Sequence, residues 1–138
     1  MLALVTGASS GIGLEYAKQL ARDYHTDLLL VSNQEQEQQQ VAKELAAQYG
    51  VKTIALYADL SKQNAAEELY QYCVDNQLTV DILVNNAGVF FFNPYCETSM
   101  KRIELMLNLH MITVAKLTRL FGEQMLQREL SAEEQAQK

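Results

Sequence analysis

The sequence predicts an α/β fold in three layers, a parallel sheet with helices packed on both faces. Three observations predict it. Short apolar runs alternate with helical periods along most of the chain. The runs are continuously apolar instead of alternating, as in strands covered on both faces. The first run leads directly into a glycine cluster that opens a helix.

Each element follows in order. "LALVT", Leu2 to Thr6, reads as a buried strand, and Gly11 to about Asp23 as a helix with Ile12, Leu14, Ala17, Leu20 and Ala21 on its apolar side. "DLLLVS", Asp27 to Ser32, is the second strand. Gln34 to Tyr49 is helical, with Val41, Leu45 and Ala46 inward and Gly50 suited to end it. Its Gln-rich beginning, Asn33 to Gln40, is expected to be a solvated helix start. "KTIALYA", Lys52 to Ala58, is the third strand. Ser61 is expected to cap a helix from about Lys62 to Asn76, striped by Ala65, Ala66, Leu69, Cys73 and Val74. "VDILVNN", Val80 to Asn86, is the fourth strand. A long helix from about Met100 to Arg128 follows a loop around Pro94. The final segment, 129–138, is polar, and Ser131 with Glu134 fits a capping box.

Composition bounds the function. A chain of 138 residues predicts one compact domain or part of a larger one. A hydrophobic fraction of 49% with 20% charged residues is globular composition, and a net charge of −6 argues against nucleic-acid binding. No apolar run approaches the ~18 residues of a membrane-spanning helix, so no membrane contact is expected. No secretory signal is visible at the N-terminus. Cys73 and Cys96 are too few for a disulfide framework, so a reduced, cytoplasmic chain is expected, with Cys73 a small core residue. His25 and His110 belong to no ligand-spaced cluster, so no metal site is expected.

The glycines Gly7, Gly11 and Gly13 lie between the first strand and the first helix. A helix N-terminus offers unpaired N–H groups and partial positive charge to a phosphate, and glycine lets backbone and ligand approach closely. Thr6, Ser9 and Ser10 add hydroxyls. A nucleotide-hydrolysing phosphate loop needs Lys-Ser/Thr after its last glycine, whereas Leu14 and Glu15 follow Gly13 here.

"TGASSGIG", Thr6 to Gly13, resembles the T-G-x-x-x-G-x-G motif of the short-chain dehydrogenase/reductase (SDR) family. "NNAG" at Asn85–Gly88, the Asp59-Leu60 pair after the third strand, and Asn108 within the following long helix stand in the family's order and cover about residues 1–128. The resemblance implies a Rossmann-type sheet of strand order 3-2-1-4, truncated before a fifth strand. Residues 1–128 would form a dinucleotide-binding half-domain and 129–138 a helical or frayed tail.

It also implies an NAD(P)-dependent oxidoreductase that moves hydride between the cofactor and a carbonyl or alcohol. Gly7, Gly11 and Gly13 would shape the cofactor loop. Ser9, Ser10 and Ile12 would line the adenosine and pyrophosphate, and Asp59, with Leu60 beside it, would accept from the adenine amino group. Asn86, Ala87 and Gly88 would contact the cofactor, Asn85 would support the sheet, and Asn108 would help hold a water relay. The wording of "LVNNAGVFFFNPYCETS" is similar to members acting on ketoacyl or steroid-like carbonyls.

The second strand ends without a carboxylate that would repel a 2′-phosphate, and Ser9, Ser10, Ser32 and Asn33 offer neutral donors, so NADP(H) is favoured over NAD(H). The family's proton donor is a tyrosine with lysine four residues on. None of the seven tyrosines has that partner, so the 138-residue chain alone is expected to bind cofactor without turnover. The alternative is a non-catalytic dinucleotide-binding or interaction module. Without a fifth strand, Val80–Asn85 would form an apolar sheet edge. Ile103, Leu107, Val114, Leu117 and Phe121 stripe one side of the long helix while Leu105, Leu109, Ile112 and Leu120 lie off it, which predicts self-association through Met100–Met125.

Overall fold

The strands β1 (Leu2–Thr6), β2 (Asp27–Ser32), β3 (Thr53–Tyr57) and β4 (Ile82–Val84) form one parallel sheet in the order β3-β2-β1-β4. This computed structural model describes all residues from Met1 to Lys138. Leu4 pairs with Leu29 on one side and Leu83 on the other. The crossovers run through α1 (Gly11–Tyr24), α2 (Glu35–Tyr49) and α3 (Ala65–Asp75). After β4 come a short 3₁₀ turn at Tyr95–Glu97, α4 (Met100–Leu107), a wide π turn at Asn108–Ile112, and α5 (Thr113–Ala136).

Strand periodicity sorts the core into two layers. Ala3, Val5, Leu28 and Leu30 pack with Ala17, Ala21, Val41 and Leu45 of α1 and α2. Leu4, Leu29 and Val31 pack on the opposite face with Leu69 and Cys73 of α3 and Leu117 and Phe121 of α5. Small residues on α1 let it lie close to the sheet. On the other face Phe121 fills the space, its ring meeting Tyr70 edge-on with centroids 5.3 Å apart. The Lys116–Glu67 ion pair between α5 and α3 spans 3.1 Å, but its side chains are 38% and 47% exposed. Such a pair contributes at most about 1 kcal/mol, so apolar burial carries this contact.

Several expected boundaries move. Ser61 does not cap α3: its N–H and hydroxyl both donate to Asp59 Oδ1, at 3.1 and 2.5 Å, and the helix starts later, behind Asn64. β4 is shorter than Val80–Asn86. Its entry is held by Asp81, whose carboxylate accepts from Leu2 N at 2.9 Å, and by Arg128, which donates to Val80 O at 2.7 Å. Its exit is pulled away from ladder pairing by side chains described below. Ser131 lies inside α5 and donates to Gln127 O, so there is no capping box, and the helix continues to Ala136. On α1, Ile12 is 72% exposed, and on α3 Val74 faces solvent. On α2, Ala42 takes the buried place expected for Ala46, and Gln38, inside the supposedly solvated Gln-rich segment, is 1% exposed with neither amide atom hydrogen-bonded.

The long helix is interrupted, and the interruption changes which residues face the core. A π turn accommodates an extra residue, so the face advances relative to an unbroken α-helix. Leu109, Thr113, Leu117 and Phe121 are buried, while Leu107 and Ile112 are exposed. Leu109 therefore moves from the outer side to the core, and Leu107 the reverse. β4 is a sheet edge, as expected, with half-buried Ile82, Leu83 and Val84. No helix is long and apolar enough to cross a membrane.

Two outcomes are expected. Phe121→Ala destabilises the fold by about 3–5 kcal/mol in urea unfolding, because the ring is fully buried between sheet and α3; a loss under 1 kcal/mol would contradict this packing. Burial pushes the Cys73 thiol up to about 11, while Cys96 is exposed. A thiol titration near neutral pH therefore modifies Cys96 quickly and Cys73 only on unfolding.

Candidate functional site

The site is built where the carboxyl ends of β1 and β4 meet. Thr6, 2% exposed, ends β1. Its hydroxyl accepts from the backbone N–H of Asn86 at 3.0 Å and of Ala87 at 2.9 Å, and lies 3.4 Å from Val84 O. This hydroxyl is therefore committed to β4 and is not offered to a ligand with Ser9 and Ser10. Asn86 returns the tie: its Nδ2 donates to Thr6 O at 3.1 Å and Gly7 O at 3.2 Å. Asn86 thus braces the glycine loop with its side chain, while Asn85, expected to support the sheet, donates to Thr118 Oγ1 on α5.

This brace makes side chains impossible at two glycines. Gly7 has φ +65°, and a Cβ there would stand 2.9 Å from Ala87 Cα. A Cβ on Gly13 would stand 2.3 Å from Gly7 O and 2.4 Å from Asn86 Nδ2. Helix α1 can begin tight against the loop only because position 13 lacks a side chain. Gly7 N donates to Val31 O at 2.8 Å, which ties the loop to β2 as well.

The start of α1 is left open. Ser10 is its N-cap, in extended conformation, and makes no side-chain capping bond. The helical ladder begins at Leu14 N, which donates to Ser10 O at 3.3 Å. The amides of Gly11, Ile12 and Gly13 precede that first bond and stand at the positive end of the helix.

A cleft of about 510 Å³ lies over the carboxyl ends of the strands. Gly7, Ser9 and Ser10 form its glycine-loop wall, Ser32 and Asn33 the end of β2, Asp59 and Leu60 the end of β3, and Asn86, Ala87 and Gly88 the end of β4. Gly11, Ile12 and Gly13 do not line it: Gly13 is buried behind the loop, and the Ile12 side chain projects to solvent. Gln34 and Ser61 also line the cleft; both follow strand ends, where open α/β sheets gather their ligands, and that position is the sequence signal that marks them. Leu105, on α4, and Leu109, within the π turn, line the cleft too.

Asp59 is the only charged residue lining the cleft. Ser61 fixes its Oδ1 and, through Leu60, the loop is anchored from α5: Thr113 Oγ1 donates to Leu60 O at 2.6 Å. Asn108 opens the π turn but does not line the cleft, and its side chain makes no hydrogen bond within the chain. The same turn carries His110, whose Nε2 lies 3.1 Å from Val89 N and 2.9 Å from Val89 O. Its ring occupies the space beside Gly88, where a Cβ would meet His110 Cε1 at 2.6 Å.

Taken together, a cradle closed to any Cβ, unclaimed amides at a helix start and an acceptor at the end of β3 fit the diphosphate and adenine of a dinucleotide. The short chain dehydrogenase family profile matches residues 1–132. The very-long-chain 3-oxoacyl-CoA reductase of Anas platyrhynchos is 35% identical over 130 residues, covering 91% of this chain and 41% of the relative. The inactive hydroxysteroid dehydrogenase-like protein 1 of Homo sapiens is 37% identical over 105 residues, covering 75% of this chain and 31% of the relative. Among solved structures, the bulky-bulky ketone specific alcohol dehydrogenase from Comamonas testosteroni superposes with a TM-score of 0.85 at 27% identity, covering 92% of this chain and 50% of that one. A short-chain dehydrogenase from Sphingobium yanoikuyae in complex with NADPH gives 0.84 at 29% identity, covering 92% and 49%. The chain thus spans half or less of these proteins, and its sequence, sheet order and glycine loop place it in the short-chain dehydrogenase/reductase family.

Proposed function

We propose that this chain is the dinucleotide-binding part of an SDR-type oxidoreductase acting on a carbonyl or alcohol, and that it favours NADP(H) over NAD(H). The observation that carries the reading is the open start of α1 held against the Thr6–Asn86 brace. When bound, the nicotinamide group supplies or accepts the hydride. The hydroxyls of Ser9 and Ser10, which line the cleft, and the amides of Gly11 and Ile12 that follow them at the helix start bind the diphosphate, with Gly13 shaping the loop behind them. The free carboxylate oxygen of Asp59 accepts from the adenine amino group, with Leu60 against the ring. Ala87 and Gly88 face the sugar next to the diphosphate, and Asn86 orients both walls.

The substrate class is supported by the relatives: a 3-oxoacyl-type or comparably bulky ketone. Asn108 is a positioning residue for a proton relay, since its carboxamide has no partner within the chain and is free to hold water. The 138 residues contain no tyrosine with lysine four positions on, so this segment by itself binds without turning over. The exposed apolar residues of Met100–Met125, among them Met100, Leu107, Met111 and Ile112, are the contact for a second copy. A non-catalytic module is the second reading, favoured by the likeness to a relative named as inactive.

NADPH titrated into the purified chain, followed by its fluorescence, is expected to saturate, and to do so at lower concentration than NADH; equal affinity would contradict the cofactor preference. Gly13→Ala forces α1 away from the loop and is expected to weaken NADPH binding by about tenfold or more while circular dichroism stays native. Light scattering at high concentration is expected to return at least a dimer mass, and a monomer mass would remove the α4–α5 contact.

A further inference from the structure

The π turn carries a histidine to the exit of β4. His110 Nε2 lies 3.1 Å from Val89 N and 2.9 Å from Val89 O. The same ring lies over Gly88. A Cβ on Gly88 would have three ring atoms as its nearest neighbours, Cε1 at 2.6 Å, Nδ1 at 3.4 Å and Nε2 at 3.5 Å. The missing Cβ is therefore what lets the ring reach Val89. Gly88 and Val89 both line the cleft, and His110 does not. The ring backs the wall from outside.

Nothing else of the chain bonds this stretch of wall. The Thr6 hydroxyl takes the N–H groups of Asn86 and Ala87. From Gly88 to Phe91 the backbone makes no hydrogen bond within the chain except at Val89, to His110. One ring nitrogen makes one of the two bonds at a time. With the ring proton on Nδ1, Nε2 accepts from Val89 N. With the proton on Nε2, it donates to Val89 O. Each choice leaves the other backbone group of a cleft-lining residue free for a ligand.

We propose that His110 is a positioning residue for the cleft: its Nε2 holds the Gly88–Val89 backbone where the sugar of the dinucleotide meets it, and the bound ligand selects which Val89 group the nitrogen keeps. The inference rests on the dinucleotide reading above. His110 acts through Val89 and touches no ligand itself. Its ring is exposed, so water competes for the same bonds. One neutral hydrogen bond then sets the size of the effect, about three- to tenfold in affinity.

The test titrates NADPH by fluorescence into the wild-type chain, His110→Phe, His110→Gln and His110→Asn, each checked for native circular dichroism. Phenylalanine keeps a ring against Gly88 without the nitrogen. Glutamine carries its amide about as far along the side chain as Nε2, and asparagine only as far as Nδ1. His110→Phe and His110→Asn are expected to weaken binding by about three- to tenfold, and His110→Gln to regain most of that loss. In the wild type, the nitrogen NMR resonances of the His110 ring are expected to shift on saturation together with the Val89 amide, a readout that needs no variant to fold. Variants that all bind like the wild type, equal losses in all three, or ring resonances that ignore saturating NADPH overturn the role of His110 and leave the dinucleotide site standing. A folded wild type that does not bind NADPH overturns the dinucleotide reading and this assignment with it.

Discussion

The reciprocal tie between Thr6 and Asn86 is the constraint on which the site depends. A threonine hydroxyl at the end of β1 receives the backbone just past β4, and the amide of Asn86 there returns to the carbonyls of β1 and the loop. The two strands are adjacent in the sheet and close to eighty residues apart in sequence, with separations of 80 for the Asn86–Thr6 bonds. Once this knot is tied, the loop between β1 and α1 has one path. That path requires a left-handed residue at Gly7 and no side chain at Gly13. Both requirements are met by glycine alone, and the result is a helix that starts tight against the loop with its first amides ahead of the first helical hydrogen bond.

Energetics and function divide between the layers of the fold. Apolar burial on both faces of the sheet stabilises the whole, with Phe121 and the leucines of β1 and β2 at its centre. The polar bonds at the carboxyl ends add less to stability, because each replaces bonds to water. Their effect is directional. They hold the donors of the glycine loop and the acceptor of Asp59 around one cleft. The π turn belongs to the same design: it carries Leu109 against the cleft and His110 against Gly88 in the same short stretch.

Strand positions and sheet order were legible because continuous apolar runs and the glycine cluster depend on local sequence. So were most of the residues that line the cleft, since they follow strand ends. What could not be read depends on competition or on distant partners. Ser61 looks like a helix cap until Asp59, two residues earlier, takes both its donors. Thr6 looks like a ligand contact until its hydroxyl is found receiving the backbone N–H groups of Asn86 and Ala87. A helical wheel cannot anticipate a π turn, so Leu107 and Leu109 exchanged their expected faces. Gln34, a glutamine in a Gln-rich stretch, carries no local mark; its hydrogen bonds to Ser9 and Ser32 depend on the fold that brings them together.

The most direct test of this account is an amide chemical-shift map of the chain during an NADPH titration. The account predicts saturable shifts centred on the amides of Gly11, Ile12 and Gly13, with smaller ones at Ala87 and Gly88 and none along the end of α5. A folded chain whose loop amides stay unmoved at saturating NADPH, or whose shifts gather on α4 and α5 instead, would contradict it.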